Sequence, residues 1–329
     1  MDSFKIVAFY LFTPIENPEN EVKRHRDFLK ELDVRCRIYI ASDGINAQMS
    51  FRGEDAELYM DWLKGDERFA NVFFKVDPYD EHVLPKVTVK VRKQLAALDQ
   101  SVNVTEGAEH ISPQRWREML EERDDNTILI DARNDYESVI GHFEGAELPP
   151  LKTFREFLPF VKELSERVDP KKAKVMMYCT GGIRCELYTP LLKEMGFEHV
   201  YQLDGGIINY GYKEGNQHWK GKLFVFDDRL SAPISDDEHE LISHCHLCDT
   251  ECDLYYNCAN MDCNALFLSC GSCSEKLQGC CSEECIKAPR RRPFEKSERP
   301  KPFRKWYHYS KTKEMNSLND TICSCSAPH

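Results

Sequence analysis

The sequence predicts a multidomain protein that combines an α+β domain, an α/β domain with a parallel sheet and a small cysteine-rich segment. Three observations predict this: a β-α-β-β-α-β order near the start, alternating strands and helices in the middle, and clustered cysteines towards the end. With 329 residues, the chain is long enough for two or three domains. We place the three parts at residues 1–97, 110–226 and 241–286, followed by a basic, partly disordered tail at 287–329.

The composition limits the class of protein. The chain is 41% hydrophobic and 30% charged, and no apolar run approaches the ~18 residues of a membrane span. The apolar start lacks a basic leader and a cleavage site, so no signal peptide is expected. In a protein that is not secreted, fifteen cysteines favour metal binding and thiol chemistry over disulfides. We therefore expect a cytoplasmic protein that does not contact a membrane.

Charge is distributed unevenly along the chain. The net charge is −12, yet Ile286–Lys313 carries eleven Lys and Arg against two Glu, a local +9 that leaves −21 elsewhere. A basic arm on an acidic body indicates an anionic partner that the arm contacts. A solvated, disordered tail without a partner explains the same charge, and both interpretations stay open.

The first part has the element order of a ferredoxin-like domain, a scaffold that by itself specifies no chemistry. Apolar runs predict its strands, helical spacing predicts its helices, and a turn-rich stretch at residues 42–46 joins the second strand to the third. The predicted strands are Ile6–Phe12, Arg35–Ala41, Gln48–Phe51, Val72–Val76 and an added Val87–Val91, and the helices are Glu21–Asp33 and Glu54–Lys64.

The second part alternates strands and helices at the spacing of a parallel sheet with helices on both faces. Its first helix is expected to start with Ser112 as N-cap and Pro113 at the first helical position. The predicted helices are Pro113–Glu121, Phe154–Val168 and Glu186–Met195, and the strands are Thr127–Asp131, Lys174–Tyr178 and His199–Leu203.

A cysteine stands between the strand Lys174–Tyr178 and the next helix, where open α/β sheets carry their active sites. Glycines after it allow the backbone to curl so that successive N–H groups face an anion. The helix dipole and the guanidinium of Arg184 then favour the thiolate form of Cys179. The predicted catalytic residues are Cys179 and Arg184, and the anion-holding loop comprises Thr180, Gly181, Gly182 and Ile183.

Other roles for these residues fit the sequence less well. A buried core cysteine beside a structural turn would leave the glycines and the arginine around it without a packing purpose. Only four residues separate Cys179 from Arg184, against five in dual-specificity phosphatases, so the ring suits a terminal sulfur better than a phosphate. Cys185 is either a resolving thiol or part of the first helical turn, and we favour the helical role. Arg133 and Glu137 are expected to form a structural pair behind the loop, with a substrate contact as the alternative.

Cysteines in the third part are spaced like metal ligands. Two CxxC pairs separated by 21 residues complete a tetrahedral four-thiolate zinc site, and a second site is interleaved with the first. A redox-active thiol cluster or an iron–sulfur centre is the alternative. Structural zinc is favoured because the segment is too short and polar to fold on a core of its own. The predicted ligands are Cys245, Cys248, Cys270 and Cys273 for the first site and Cys258, Cys263, Cys281 and Cys285 for the second, with Cys252, His244 and His246 as spare candidates.

Basic residues interleave with aromatic ones after this segment, a combination that suits phosphate contacts and base stacking on RNA. The candidate RNA-binding residues are Arg290, Arg291, Arg292, Arg304, Lys305 and Trp306, with a further basic patch at Lys86, Lys90, Arg92 and Lys93.

Several motifs resemble known families. The stretch 179–184, preceded by Asp131-Ala132-Arg133, Glu137 and residues 141–146 and followed by Asp204-Gly205-Gly206, resembles the rhodanese family. Over roughly residues 4–310 the chain looks like the bacterial oxygen-dependent tRNA uridine hydroxylases. The further motifs that carry this likeness are Asp43-Gly44-Ile45-Asn46, Pro149-Pro150, residues 153–156, residues 224–229 and the cysteine-rich end.

This resemblance implies a tRNA-modifying oxidoreductase that converts the anticodon wobble uridine, position 34, to 5-hydroxyuridine, with molecular oxygen as co-substrate and Cys179 as the essential cysteine. Our hypothesis for the mechanism is that the thiolate adds to C6 of uracil or, alternatively, that Cys179 carries a persulfide or an oxidised sulfur that transfers oxygen. A persulfide sulfurtransferase and a non-enzymatic zinc-containing RNA-binding adaptor are the competing functions. The cysteine-rich end is longer than in the shortest family members.

Overall fold

The computed structural model describes residues 3–95 and 102–294. No helix within these two ranges is long and apolar enough to cross a membrane. The chain divides into two compact units. Of the described residues, the first unit contains those up to Val225 together with Ala232–Glu240, and the second contains Phe226–Ser231 and those from Leu241 to Phe294.

The first unit begins with a five-stranded sheet and its helices. The elements are β1 (Phe4–Phe12), α1 (Pro18–Phe28), a 3-10 turn (Leu29–Glu31), β2 (Val34–Ala41), β3 (Gly44–Arg52), α2 (Asp55–Lys64), a 3-10 turn (Glu67–Phe69), β4 (Lys75–Tyr79) and β5 (Val87–Val91). The strand order is β4-β1-β3-β2-β5, antiparallel except for the parallel pair of β2 with β5. The predicted β-α-β-β-α-β order and the added fifth strand are confirmed.

Several strand ends differ from the prediction, and the starts of β3 and β4 differ most. Strand β3 begins at Gly44, so the turn before it is only Ser42-Asp43. Gly44 has a φ of +149°, and a Cβ there would lie 2.1 Å from the main-chain oxygen of Leu11, so only glycine allows this close pairing with β1. Strand β4 begins at Lys75 rather than at Val72, because the N–H of Val72 instead bonds to the carbonyl of Phe69 in the preceding turn.

Alternation along the strands gives this sheet two different faces. Val7 and Phe9 of β1 lie in the core that packs against α1 and α2. Tyr10 therefore lies on the opposite face, and so does Lys75, whose cross-strand partner is Ala8. Phe12, two residues after Tyr10 on the same face, packs against the core of the parallel-sheet part of the unit, so the β4–β1 end of this second face is turned towards that part.

The rest of the first unit is built on a parallel sheet. Its elements are a 3-10 turn (Val104–Glu106), β6 (Glu109–Ile111), α3 (Pro113–Glu121), β7 (Thr127–Asp131), α4 (Asp135–Ser138), β8 (Gly141–Phe143), a 3-10 turn (Phe154–Glu156), α5 (Phe157–Arg167), β9 (Lys174–Tyr178), α6 (Ile183–Glu194), β10 (His199–Leu203), α7 (Gly206–Glu214), β11 (Trp219–Gly221), β12 (Leu223–Phe224) and β13 (Ser231–Ala232). The strands β6-β10-β9-β7 form the sheet and all run parallel, while β8 pairs antiparallel with β11.

The central strand β9 is buried on both faces, as the prediction of helices on both sides requires. Val175 and Met177 pack with residues of α5 and α6 in one core. Met176 and Tyr178 pack with residues of α3 and α7 in the other. Helix bounds also differ from the prediction. Helix α1 begins and ends earlier than the predicted Glu21–Asp33, α6 starts at Ile183 rather than Glu186, and the predicted helix Phe154–Val168 is divided into a 3-10 turn and α5.

The second unit is small. It contains a hairpin of β14 (Tyr255–Asn257) and β15 (Leu266–Leu268), followed by the short helices α8 (Gly271–Lys276) and α9 (Glu283–Ile286). Its buried cluster comprises Cys258, Ala259, Phe267, Leu277 and Cys280. A buried cluster of this size among the described residues contributes little hydrophobic stabilisation by itself.

Candidate active site

Cys179 lies at the carboxyl end of β9, directly before the loop that leads into α6. The N–H of Gly182 points back at the cysteine and lies 3.1 Å from its Sγ. This requires a φ of +104° at Gly182, a conformation that a residue with a Cβ rarely adopts. The predicted anion-holding curl is therefore present, with a main-chain donor directed at the sulfur.

The surroundings of Cys179 favour the thiolate. Burial alone would raise the pKa of this thiol, since the side chain is almost fully enclosed. The hydrogen bond from the Cys185 thiol and the charge of Arg184 act in the opposite direction. Together with the main-chain N–H groups of Arg184 and Gly182, they lower the pKa of Cys179 to about 6. At neutral pH the sulfur is therefore mostly ionised.

The expected ion pair between Arg133 and Glu137 is not formed, because each residue pairs with a different partner. The carboxylate of Glu137 binds Arg184 at 2.8 Å, whereas Arg133 pairs with Asp131 at 2.6 Å. Arg133 reaches Glu137 only at its main-chain carbonyl, at 3.4 Å. Asp131 wins this competition because its carboxylate accepts from both the side chain and the N–H of Arg133, two residues along the chain. Glu137 is thereby left to fix the guanidinium that stabilises the thiolate.

Cys185 lies in the first turn of α6 and belongs to the same buried core as Cys179. Burial, followed by its hydrogen bond to Cys179 and the negative charge there, raises the pKa of Cys185 well above its usual value. Cys185 therefore stays a neutral thiol that donates to the neighbouring sulfur. This geometry agrees with the helical role favoured from the sequence, and its supporting role in the site stays a prediction.

The glycine-containing turn between β10 and α7 is hydrogen-bonded to the main chain of the Cys179 loop. The N–H groups of Ile207 and Ile208 donate to the carbonyls of Cys179 and Thr180 at 3.0 and 3.2 Å. A Cβ on Gly206 would lie 2.6 Å from the carbonyl oxygen of Cys179, so this contact requires glycine. The motif Asp204-Gly205-Gly206 therefore fixes the loop from the start of α7.

The sequence did not indicate that two residues of the five-stranded sheet, hereafter the first domain, contact the Cys179 loop and the helix that follows it. Lys75 donates to the carbonyl of Gly181 at 3.0 Å, and the hydroxyl of Tyr10 donates to Glu186 at 3.0 Å. His110 binds the same carboxylate oxygen of Glu186 at 2.9 Å. The one available signal was a lysine inside the apolar run 72–76, which is unusual for a strand expected to be buried.

The structure brings together the two predicted cysteine sets in the second unit. In each set the four sulfurs lie within 4.8 Å of one another. Individual pairs are 3.6 Å apart (Cys248–Cys270) and 3.7 Å apart (Cys263–Cys281). A tetrahedral zinc ion with Zn–S bonds of about 2.3 Å holds its sulfurs roughly 3.8 Å apart, so both sets fit zinc. The spare candidates Cys252, His244 and His246 belong to neither set.

The arginines that follow the cysteines contact this unit. Arg290 pairs with Asp262 at 3.0 Å, and Arg291 donates to Gln278 at 2.9 Å. Arg292 donates to the carbonyl of Cys258 at 2.7 Å. The three arginines therefore have a structural part in the unit, and their RNA-binding role stays a prediction. The other candidates, Arg304, Lys305 and Trp306, lie outside the described residues.

Three stretches of the chain match known families: residues 4–95 match the UPF0176 acylphosphatase like domain, 112–212 the rhodanese-like domain and 220–286 the rhodanase C-terminal. A solution structure of a rhodanese-like domain from Anabaena is 21% identical and covers 41% of this chain and 92% of its own, with a TM-score of 0.29, too low to support any argument. The parallel-sheet fold, the Cys179 loop and the family matches together define a rhodanese-domain protein with an added N-terminal domain and a cysteine-rich end.

Full-length relatives define the family further. The tRNA uridine(34) hydroxylase of Protochlamydia amoebophila (strain UWE25) is 52% identical over 94% of this chain and 96% of its own. The protein of the same name from Chlamydia abortus (strain DSM 27085 / S26/3) is 49% identical over 98% of each chain. The chain belongs to the tRNA uridine(34) hydroxylase family, which confirms the resemblance inferred from its motifs.

Proposed function

We propose that this protein hydroxylates uridine 34 of tRNA to 5-hydroxyuridine, with molecular oxygen as co-substrate and Cys179 as the reacting group. The observation that carries the proposal is a buried thiolate, with a pKa of about 6, in a chain half identical to relatives that bear the hydroxylase name. Since tRNA is the substrate, we place the protein in the cytoplasm.

The loop suits a reaction that starts from a sulfur anion. In our preferred version the Cys179 thiolate adds to C6 of uracil, which makes C5 electron-rich enough to react with an activated oxygen species. One oxygen atom enters at C5, and a two-electron reductant converts the other to water. Loss of the C5 proton and departure of the sulfur then restore the uracil ring. Arg184 and the N–H of Gly182 stabilise the sulfur anion at the start and at the end of this sequence.

A basic face of the first domain supports tRNA as the partner. Arg37 and Tyr39 of β2 alternate with core residues, so they lie on the same sheet face as Tyr10. On the neighbouring strand Lys90 is exposed opposite Tyr39, and the guanidinium of Arg92 lies 4.4 Å from the centre of the Tyr39 ring. Cations and an aromatic ring on one face suit the phosphates and unstacked bases of an anticodon loop. A wobble base is single-stranded, so it enters a pocket at little cost.

Each four-cysteine set would hold one zinc ion, and zinc would supply cross-linking rather than chemistry in the second unit. Four thiolate ligands leave no open position for a substrate, which is the pattern of a structural site. The cysteines Cys245, Cys248, Cys270 and Cys273 would bind one ion and Cys258, Cys263, Cys281 and Cys285 the other.

The proposal is tested by nucleoside mass spectrometry of tRNA from cells that lack this gene and are complemented with variants. Wild type restores a uridine 34 heavier by one oxygen atom, whereas Cys179→Ser does not. Cys36→Ser is the matched control, because Cys36 is a buried thiol of the first domain outside the loop. Rapid sulfur transfer from thiosulfate with unchanged tRNA would establish the sulfurtransferase instead. Binding of tRNA without any product, equally in wild type and Cys179→Ser, would establish the adaptor.

A further inference from the structure

Lys75 is a buried lysine that hydrophobic packing does not explain. Only 4% of its surface is exposed, although a buried ammonium loses the hydration that it has in water. Its Nζ donates to the carbonyl of Gly181 at 3.0 Å and lies 5.4 Å from the ring centre of Tyr10 and 5.3 Å from that of Phe73. Two aromatic faces and one carbonyl thus hold the cation against the loop.

The carbonyl that Lys75 binds belongs to the peptide group between Gly181 and Gly182. The N–H of that same peptide group is the one that donates to Sγ of Cys179 at 3.1 Å. Because a trans peptide is planar, with its C=O and N–H pointing in opposite directions, fixing the oxygen also fixes the direction of the N–H. A cation on the oxygen further polarises the group and strengthens the hydrogen bond that its N–H donates.

We propose that Lys75 is a positioning residue of the Cys179 site, through which the first domain orients and polarises the 181–182 peptide and adds a second positive charge beside Arg184. This role deepens the proposed function and rests on it, because the reaction uses the thiolate that Lys75 stabilises.

The charges around Lys75 define the pH range of this role. Burial lowers the pKa of Lys75 to about 8, partly offset by the negative charges of Cys179, Asp204 and Glu186, while Tyr10 faces it as a neutral phenol. Lys75 is therefore a cation below about pH 8, whereas Cys179 is a thiolate above about pH 6. The two are charged together between these values.

The test is the pH dependence of Cys179 alkylation by iodoacetamide in the full-length protein, followed by mass spectrometry of the modified peptide. Lys75→Met keeps the aliphatic stem and removes the charge. In this variant we expect the pH at which Cys179 alkylation reaches half its maximum, the midpoint, to rise by about one pH unit. Lys75→Arg restores a cation and a donor, so its midpoint should return towards the wild-type value. Lys64→Met is the control, because the Nζ of Lys64 also lies over an aromatic ring, 5.5 Å from the centre of Phe74, but has no hydrogen bond to the loop among the described residues. Its midpoint should equal that of wild type.

A wild-type midpoint in folded Lys75→Met, with the fold checked by circular dichroism, would overturn the proposal. Equal rises in Lys75→Met and Lys75→Arg would also overturn it, because they would indicate lost packing rather than lost charge. Alkylation needs no tRNA, so this outcome is independent of the hydroxylase assay. If wild type formed no 5-hydroxyuridine while the midpoints shifted as expected, the proposed function would fail and the role of Lys75 in ionising Cys179 would stand.

Discussion

Glu137 and Arg184 form an ion pair of 2.8 Å that is almost closed to solvent, with 0% and 6% of their side chains exposed. The pair holds a guanidinium against the Cys179 loop while supplying the negative charge that makes its burial tolerable. The loop region and the helix α4, which carries Glu137, are therefore linked through this ion pair and through the hydrogen bond that the Thr180 hydroxyl donates to the same carboxylate at 3.4 Å.

Breaking this pair should destabilise the fold. We expect Glu137→Gln to lower the free energy of unfolding by about 3–5 kcal/mol, because Arg184 would stay buried without its carboxylate partner. The matched control is Glu147→Gln, which removes a pair with Arg167 of similar length whose side chains are 31% and 47% exposed. Its cost should be about 0–1 kcal/mol. Equal costs in urea denaturation would contradict the assignment.

The pH dependence of Cys179 reactivity follows from its lowered pKa. A thiolate reacts and a thiol does not, so alkylation of Cys179 should rise with pH and reach half its maximum near pH 6. Cys36 should stay unreactive over this range, because burial raises its pKa to about 11. A midpoint for Cys179 near that of a free thiol, about 8.5, would contradict the ionised site.

Gly182→Ala should remove hydroxylation without unfolding the protein. Its φ of +104° is unfavourable for alanine, and the new Cβ would lie 2.6 Å from the Tyr10 hydroxyl, so the N–H must turn away from Cys179. Gly53→Ala is the control, because Gly53 also has a positive φ, +62°, but open space around it. Both variants pay backbone strain of about 1–2 kcal/mol, and only Gly182→Ala should lose activity. Full activity of Gly182→Ala in the tRNA assay would show that the curl of the loop is not needed.

The two cysteine sets predict two zinc ions per chain. Elemental analysis of Cys245→Ser should find one ion fewer than wild type, and a thiol-competing chelator should release the remaining one more readily. Cys252→Ser is the control, because Cys252 belongs to neither set and burial raises its pKa to about 11. Retention of both ions by Cys245→Ser, or loss of one by Cys252→Ser, would exclude the proposed ligand sets.

The predictable parts of the site were the local ones. The Cys179 loop could be predicted because residues 179–184 are consecutive and the geometry of glycine, helix and arginine follows from their order. The four-cysteine sets were similarly predictable from CxxC spacing. Lys75 and Tyr10 were not, because they reach the loop from another sheet, and only the register of β4 on β1 places them on one face. The ion pair of Arg133 with Asp131 was not predicted either. Asp131 and Glu137 are both close to Arg133 in the sequence, and side-chain geometry, which residue spacing does not determine, decides which of them binds the guanidinium.

The central claim is that Cys179 mediates transfer of oxygen from molecular oxygen to C5 of uridine 34. The most direct measurement grows cells lacking this gene under isotopically heavy oxygen gas, complements them with wild type or Cys179→Ser, and analyses the tRNA nucleosides by mass spectrometry. We predict heavy-oxygen label in 5-hydroxyuridine with wild type and unmodified uridine with Cys179→Ser. Labelled product at the wild-type level in Cys179→Ser, or wild-type product whose oxygen comes from water, would contradict the account.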